Sequence, residues 1–346
     1  MGAAENRFYR DLCAVLVPGA SLEETGAALS QVIAPVVAHD GLRCGVMNPS
    51  QGVGVTGLAF WHGYEPDLGR AVLSTDSMGT DDLRALAGLA QQPVPVVVAD
   101  RMRRADAPDR LFAEYGVGQE LRLVLRDRRG VWGLLCLTRA AGIRPFDAGD
   151  RHRIAEAGPP LIAAVRSYVL AGPVLPSAQR LPPGLLVVGP DGRIKSRTPQ
   201  AQRWLAPMVA QQAIPDWLLE SSAAALAFEA REHGRDSRAR YPRVCVPSAG
   251  YGWWTSIEAQ PLGTDGDVAI MIQRATGTQL LPTLCDWYQI TARERQVLSC
   301  LQDGAASKQI ARRLDLSVHT VNEHLKAIFR KTGTYGRHEL IAAITA

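Results

Sequence analysis

The chain has 346 residues, of which 47% are hydrophobic, and its 38 Lys or Arg against 34 Asp or Glu give a net charge of +4. One ordinary domain has about 100 to 200 residues, so we expect two or three domains, and the composition excludes a disordered chain. No apolar run reaches the roughly 18 residues of a membrane span, and the start lacks the organisation of a signal peptide, so we expect a cytoplasmic protein.

The six cysteines lie far apart, without a C-x-x-C pair or a neighbouring histidine cluster. This spacing matches neither a zinc site nor a disulfide framework. We therefore expect reduced and mostly buried thiols, with no metal and no cofactor.

The first 172 residues show the signals of a sheet followed by a long helix. Two of the predicted strands flank a turn at Arg128 and form a hairpin. The predicted strands are residues 42–47, 57–61, 121–127 and 131–139. Residues 147–170 then form one helix or two in series, because Pro159 and Pro160 should break or kink it. A hairpin followed by a long helix resembles the end of a GAF domain, so residues 1–172 are predicted to be a GAF-like sensor or dimerisation domain.

A Pro-rich stretch, residues 173–183, is typical of a semi-rigid linker. After it the pattern predicts two strands, two helices and three more strands, which resembles a PAS domain over residues 184–275. The predicted strands are residues 184–188, 193–196, 243–246, 253–259 and 268–273, and the predicted helices are residues 201–205 and 217–233. A single continuous α+β sensor is the alternative to two domains.

Both resemblances imply a pocket between sheet and helices that can hold a small molecule. The candidate lining residues are Cys44, Trp61, His62, Tyr64, Trp204, Trp253 and Trp254. Core packing is the alternative for most of them, because aromatic side chains are usually buried in cores. The glycine pattern in residues 52–57 spells G-x-G-x-x-G, but it lacks the strand before and the helix after, so we expect a loop there.

Beyond a second predicted linker, residues 276–289, the chain changes to short helical patterns. Thr291 and Glu294 form a capping box, which predicts that a helix begins there, and Gly304 ends it. A second helix covers residues 307–314, and Ser317 is a suitable N-cap for a third, residues 318–332. The last helix is predicted at residues 337–344. Two helices joined by about three residues are the helix-turn-helix pattern.

This C-terminal segment also concentrates the charge. Residues 290–346 contain nine Lys or Arg and five Asp or Glu, so the whole net charge of +4 falls here. A basic segment of this kind is expected to dock on a polyanion.

The segment is similar to the LuxR-type, or GerE-like, domain, whose pattern runs T-x-R-E-x-x-V-L, then K-x-I-A-x-x-L-x-x-S-x-x-T-V-x-x-H-L, then K-x-G and an arginine. In this sequence the pattern falls on Thr291, Arg293, Glu294, Val297, Leu298, Lys308, Ile310, Ala311, Leu314, Ser317, Thr320, Val321, His324, Leu325, Lys331, Gly333 and Arg337. The resemblance covers about a sixth of the chain. It implies that the third helix enters the major groove of DNA.

The resemblance implies two sets of DNA contacts. The base-reading candidates are His319, Asn322, Glu323 and Lys326. The candidates for contacts to the phosphate backbone are Lys308, Ser317, Thr320, His324, Arg330 and Lys331. Two alternatives stay open: Glu323 pairs with Lys326 instead of reading cytosine, and His324 packs inside the domain instead of touching phosphate.

The sequence thus predicts an α+β multidomain chain, with GAF-like and PAS-like α/β sensor domains before an all-α four-helix LuxR-type domain at residues 290–346. We expect a homodimer that binds double-stranded DNA and regulates transcription, with a small-molecule ligand and RNA polymerase as further candidate partners. The alternative is a constitutive DNA-binding regulator whose N-terminal domains bind a partner protein. No catalytic constellation is recognised, so we expect no enzyme.

Overall fold

The structure is a computed structural model that describes residues 3–51, 57–69, 72, 80–100, 112–171, 181–212, 214–234, 242–246, 254–275 and 277–345. Trp253, most of the Pro-rich linker and residues 52–56 of the glycine-rich loop lie outside these ranges. The described part contains two antiparallel sheets, helices packed on them and a C-terminal group of helices, which is the predicted α+β class. We call residues 3–171 the first lobe and residues 181–275 the second lobe.

The sheet of the first lobe has five antiparallel strands in the spatial order β2-β1-β5-β4-β3. They are β1 (Gly41–Val46), β2 (Leu58–His62), β3 (Val96–Asp100), β4 (Val117–Asp127) and β5 (Gly130–Ala140). The predicted hairpin is confirmed as β4 and β5, and the strands predicted at residues 42–47 and 57–61 are confirmed as β1 and β2. Sequence reasoning missed β3, which pairs with β4 at the edge.

Helices pack on both faces of this sheet. They are α1 (Ala3–Val15), α2 (Leu22–Ile33), α3 (Thr80–Leu89) and α4 (Ala148–Val169). Leu12, Leu29 and Leu161, from α1, α2 and α4, are buried together in the main core against one face. On the other face Leu86 of α3 joins a separate cluster with Leu134 of β5.

Helix α4 continues for 22 residues although Pro159 and Pro160 lie inside it. Of the two sequence alternatives, one long helix is the one observed, and the expected break into two helices is wrong. A proline removes one helical hydrogen bond and crowds the preceding turn, at a cost of about 3 kcal/mol. Ala157, Leu161 and Ala164 flank the prolines and are buried in the main core, and burying them offsets part of that cost.

The second lobe has its own five-stranded antiparallel sheet, in the order β7-β6-β10-β9-β8. Its strands are β6 (Gly184–Val188), β7 (Ile194–Arg197), β8 (Arg243–Val246), β9 (Thr255–Leu262) and β10 (Asp267–Arg274). Helices α5 (Pro199–Gln212) and α6 (Asp216–Gly234) pack on one face through a second buried cluster. The predicted order of two strands, two helices and three strands is confirmed.

The segment predicted as a linker at residues 276–289 contains a buried helix, α7 (Gly277–Trp287). Leu284, Cys285 and Trp287 of α7 are all 0% exposed. Four further helices follow: α8 (Ala292–Gln302), α9 (Ser307–Leu314), α10 (Val318–Thr332) and α11 (Arg337–Thr345). Buried residues of α7, of these helices and of both lobes form one continuous cluster, so the C-terminal helices are packed onto the lobes.

No helix in the described ranges combines the length and the apolar character needed to cross a bilayer.

Candidate nucleic-acid interface

Helix α8 begins with the predicted capping box. Thr291 Oγ1 accepts a hydrogen bond from the Glu294 amide at 3.3 Å, and Glu294 Oε2 accepts one from the Thr291 amide at 2.7 Å. These bonds satisfy two amides that would otherwise have no partner at a helix start. Val297, Leu298 and Leu301 of α8 are completely buried in the main core.

Helices α9 and α10 are joined by a tight turn. Helix α9 ends at Leu314, and Asp315 adopts a left-handed conformation with φ of 53° while its amide bonds to the Ala311 carbonyl. The guanidinium of Arg293, on α8, donates to the Leu314 carbonyl at 2.6 Å and so satisfies a carbonyl at the C-terminal end of α9. The chain then turns at Leu316 into α10. Two short helices joined in this way define a helix-turn-helix unit.

Helix α10 begins at the predicted N-cap. Ser317 Oγ accepts from the Thr320 amide at 3.0 Å, and the two hydroxyl oxygens lie 2.8 Å apart. Gly333, with φ of 68°, ends the helix in the left-handed conformation that glycine adopts most easily. The boundaries of α9 and α10 therefore agree with the prediction to the residue.

The two sides of α10 differ sharply in exposure. Val321, Leu325 and Ile328 are buried in the main core. The polar side is exposed in the presence of all other described residues; it comprises His319, Asn322, Glu323, Lys326 and Arg330. We call these five residues the polar face of α10. Neither lobe covers the polar face, so it is free to approach a partner.

Glu323 and Lys326 form an ion pair within the polar face. Lys326 Nζ donates to Glu323 Oε1 at 2.8 Å, and this hydrogen bond together with the charge of Lys326 lowers the pKa of Glu323. Their side chains are 52% and 71% exposed, so the pair contributes little to stability. The structure therefore contains the pairing that the sequence left open, and base reading by Glu323 stays a prediction.

Lys331 is held inside the domain. Its Nζ donates to Glu294 Oε2 at 2.5 Å and to the Gln289 carbonyl at 3.0 Å, and its side chain is 25% exposed. Burial raises the pKa of Glu294, but the hydrogen bonds from Lys331 and Thr291 outweigh burial, so the pKa is lowered overall. A phosphate contact by Lys331 stays a prediction. To make that contact, the Lys331 ammonium group would have to leave Glu294.

Two further residues predicted to contact the phosphate backbone lie on α9 and α10. Lys308 is exposed in the first turn of α9, and His324 is half-buried on α10. Sequence reasoning did not single out Arg312 and Arg313, which are exposed in the last turn of α9, although both belong to the charge excess that it counted. Arg337 has a structural role, because it donates to the Ala305 carbonyl at 2.8 Å.

The structure does not gather the predicted pocket residues of the first lobe into one site. Cys44 pairs with Phe60 and Arg43 pairs with Trp61, so Cys44 and Trp61 lie on opposite faces of the sheet. His62 is exposed and Tyr64 is half-buried. A pocket lined by all four residues is therefore not formed in this arrangement.

The two described tryptophans of the second predicted pocket are also separate. Trp204 lies in the core of the second lobe, where its Nε1 donates to the Pro182 carbonyl at 2.8 Å. Trp254 lies in the main core, with its ring centroid 6.2 Å from that of Trp287. Trp253 is outside the described residues, so its predicted role stays a prediction.

Sequence reasoning missed a group of buried charges on the first sheet. Arg122 Nε donates to Glu120 Oε2 at 2.8 Å on β4, and Arg43 Nη2 lies 3.4 Å from Cys136 Sγ. All three charged side chains are at least 90% buried. The strand register puts them on the face that also holds the α3 cluster. The available signal was the presence of charged residues at alternate positions within apolar strands.

The C-terminal geometry defines the domain class as helix-turn-helix, and comparison with known families makes it specific. Residues 288–344 match the family model described as bacterial regulatory proteins, luxR family. The chain therefore carries a LuxR-family helix-turn-helix domain at its C-terminal end.

The similar curated proteins are named transcriptional regulators. The chain is 45% identical over 53 residues to the monoamine regulon transcriptional regulator of Klebsiella aerogenes, which is 15% of this chain and 23% of that protein. It is 34% identical over 84 residues to an HTH-type transcriptional regulator of Mycobacterium bovis, which is 24% of this chain and 9% of that protein. The chain thus spans less than a quarter of the length of these relatives.

Among solved structures, the crystal structure of the phage VqmA-DPO complex matches 52% of this chain and 88% of its own. The sequence identity is 17% and the TM-score is 0.20, so this likeness carries no argument about fold or function.

Proposed function

We propose that the chain is a sequence-specific DNA-binding regulator of transcription whose helix α10 reads the major groove. The observation that carries this proposal is the division of α10 into a buried apolar side and an exposed polar face. A helix fits the width of the major groove, and its exposed amide and cationic side chains can distinguish base pairs there. The match to the LuxR family supports the same role.

Exposed cations on α9 and on the polar face of α10 suit the phosphate backbone. They are Lys308, Arg312, Arg313, Lys326 and Arg330. Each cation that neutralises a phosphate releases condensed counterions, so binding weakens steeply as salt rises. The hydroxyls of Ser317 and Thr320 lie at the start of α10, where a helix end favours an anion.

The side chains of the polar face have distinct base preferences. Asn322 can form two hydrogen bonds with adenine, and Lys326 can donate to guanine O6 and N7. Glu323 can accept a hydrogen bond from cytosine N4 if its ion pair with Lys326 opens when DNA binds. A helix presents only a few base contacts, so we propose a homodimer that places two copies of α10 on a two-fold symmetric site.

We further propose that the two lobes are sensors, GAF-like over residues 1–172 and PAS-like over residues 184–275. Support for a ligand-responsive first lobe comes from Arg43, Glu120 and Arg122. Charged side chains buried together on one sheet face are costly to maintain, and such groups concentrate at functional sites. A small polar or charged molecule is the class of ligand that suits this face.

Selection of duplexes from a random pool by the full chain tests DNA reading. We expect enrichment of a two-fold symmetric sequence that binds at least about 1,000-fold more tightly than a scrambled duplex at physiological salt. Enrichment of no sequence, with equal binding to all duplexes, would overturn the proposal.

A thermal-shift screen of the full chain against small polar metabolites tests the sensor role. A ligand present at 100 times its Kd stabilises the folded state by about 2.7 kcal/mol, which raises the melting temperature. The shift should disappear in the Arg122→Met variant if the ligand binds at the buried charges. A screen without hits, together with capture of a protein partner by the lobes, would favour constitutive DNA binding instead.

A further inference from the structure

The connection between the lobes and the C-terminal domain is buried. Tyr288 and Ile290, which follow α7 and precede the capping box of α8, are 7% and 2% exposed. Arg166, on α4, donates to the carbonyl of Trp287 at 2.6 Å. The chain therefore enters the LuxR-family domain along a path that is fixed against the first lobe.

One amide side chain connects three parts of the molecule at this place. Asn48 lies two residues after β1 and is 4% exposed. Its Nδ2 donates to the Cys245 carbonyl on β8 of the second lobe at 2.8 Å. Its Oδ1 accepts from Trp287 Nε1 on α7 at 2.7 Å. A carboxamide suits this position because it offers a donor and an acceptor without a charge.

Aromatic packing holds Trp287 on its other sides. The Trp287 ring meets Trp132 of β5 edge to face, with centroids 5.1 Å apart and an interplanar angle of 85°. Trp254, which precedes β9, lies at 6.2 Å. Both lobes therefore contribute an aromatic ring, and edge-to-face pairs of this kind stabilise beyond simple burial.

The tip of the β4–β5 hairpin reaches the same helix end. Arg129 Nη1 lies 3.4 Å from the Cys285 carbonyl, 3.5 Å from the Ile290 carbonyl and 3.9 Å from Asp286 Oδ1. Arg295 of α8 lies 3.4 Å from that same carboxylate oxygen. Asp286 therefore lies between the first lobe and the first helix of the LuxR-family domain. Cations at the carboxyl end of a helix are also favourable for its dipole.

We infer that these contacts form a coupling device, in which Asn48 holds Trp287 and thereby fixes the orientation of the LuxR-family domain relative to the lobes. We call the set of Asn48, Trp132, Trp254, Trp287, Arg129 and Asp286 the Trp287 junction. The inference rests on the proposed function, since it concerns the regulation of DNA binding. With the junction formed, the polar face of α10 is exposed and preorganised.

The position of Asn48 explains how a signal reaches this junction. Asn48 lies two residues after β1, and β1 carries Arg43, one of the buried charges of the first lobe. A shift of β1 that moves Asn48 by more than about 1 Å breaks hydrogen bonds that are now 2.7 and 2.8 Å long. Once Trp287 is released, the LuxR-family domain loses the fixed orientation that binding to a two-fold symmetric DNA site requires.

Three variants of the full chain separate coupling from general destabilisation. Trp287→Phe keeps an aromatic ring but removes the Nε1 donor, and Asn48→Ala removes both hydrogen bonds. The matched control is Trp204→Phe, which loses an equivalent indole hydrogen bond to Pro182 inside the second lobe. The readouts are hydrogen exchange over residues 284–302 and the Kd for the duplex that the wild-type chain selects.

We expect Trp287→Phe and Asn48→Ala to raise exchange over residues 284–302 about tenfold and to weaken duplex binding about tenfold, which corresponds to one lost buried hydrogen bond. Trp204→Phe should change neither. Faster exchange with unchanged duplex affinity, unchanged exchange, or equal effects from Trp204→Phe would each overturn the inference. If Asn48→Ala does not fold, Trp287→Phe alone decides. A wild-type chain that selects no duplex refutes the proposed function instead, and the exchange readout then still shows whether the junction fixes α8.

Discussion

Lys331, in the last turn of α10, forms an ion pair with Glu294, in the first turn of α8, with 2.5 Å between Nζ and Oε2. The pair connects the end of α10 to the start of α8, the helix on which α10 packs. Because Glu294 also closes the capping box, one carboxylate stabilises both a helix start and a helix contact.

Replacement of Glu294 by Gln should destabilise the chain by about 1 to 3 kcal/mol at neutral pH, because a buried charged hydrogen bond is lost. The pKa of Glu294 is lowered in the folded state, so its stabilisation is present above the unfolded pKa and is lost as pH falls through the folded value. Denaturant unfolding at several pH values measures this. The difference between wild type and variant should shrink below about pH 4.3. A difference that stays constant to pH 3 would contradict the assignment.

Replacement of Lys308 by Ala should weaken binding to matched and scrambled duplexes equally. Lys308 is exposed at the start of α9, and a phosphate contact carries no sequence information. The slope of log K against log salt should fall in magnitude by about 0.9, as expected for one phosphate contact. Fluorescence anisotropy over a salt series measures it. A selective loss on the matched duplex would instead make Lys308 a base-reading residue.

Replacement of Gly69 by Ala should loosen the contact between the lobes. A Cβ at Gly69 would lie 2.7 Å from the ring of Trp217, which itself packs edge to face on Trp61 at 5.7 Å. Overpacking of this kind costs about 1 to 3 kcal/mol, which equilibrium unfolding can measure.

Two further variants control the Gly69 experiment. Gly88→Ala introduces the same methyl group in α3, where nothing lies within 4 Å, and should stabilise by up to about 1 kcal/mol. Trp217→Leu in the Gly69→Ala background should relieve part of the clash. Equal changes in the free energy of unfolding from Gly69→Ala and Gly88→Ala would show that the methyl group added at position 69 does not clash with the Trp217 ring.

Helices α9 and α10 could be predicted to the residue because their signals are local. Thr291 and Ser317 are caps that bond to amides three residues away, and the turn at Asp315 follows from an apolar pattern that stops. The antiparallel strands were also recognisable, since hairpins such as β4–β5 pair neighbouring segments. These features depend on short stretches of chain, which sequence patterns describe well.

The junction and the pocket could not be predicted because they depend on distant partners. Asn48 and Cys245 are 197 residues apart in sequence, and nothing near either residue indicates the other. The opposite placement of Cys44 and Trp61 follows from the strand register, which sequence alone did not supply. The continuity of helix α4 could not be predicted for the same reason. Its contacts in the main core, which are distant in sequence, outweigh the tendency of Pro159 and Pro160 to break the helix.

The most direct test of DNA reading by α10 compares the wild-type chain with the Asn322→Ala, Lys326→Ala double variant. Both residues are exposed on the polar face, so the variant should keep the wild-type helicity and melting temperature. Anisotropy competition between the selected duplex and a scrambled one should show at least about a 100-fold loss of preference, from two base contacts of roughly 1 to 3 kcal/mol each. An unchanged preference in a folded double variant would contradict the account.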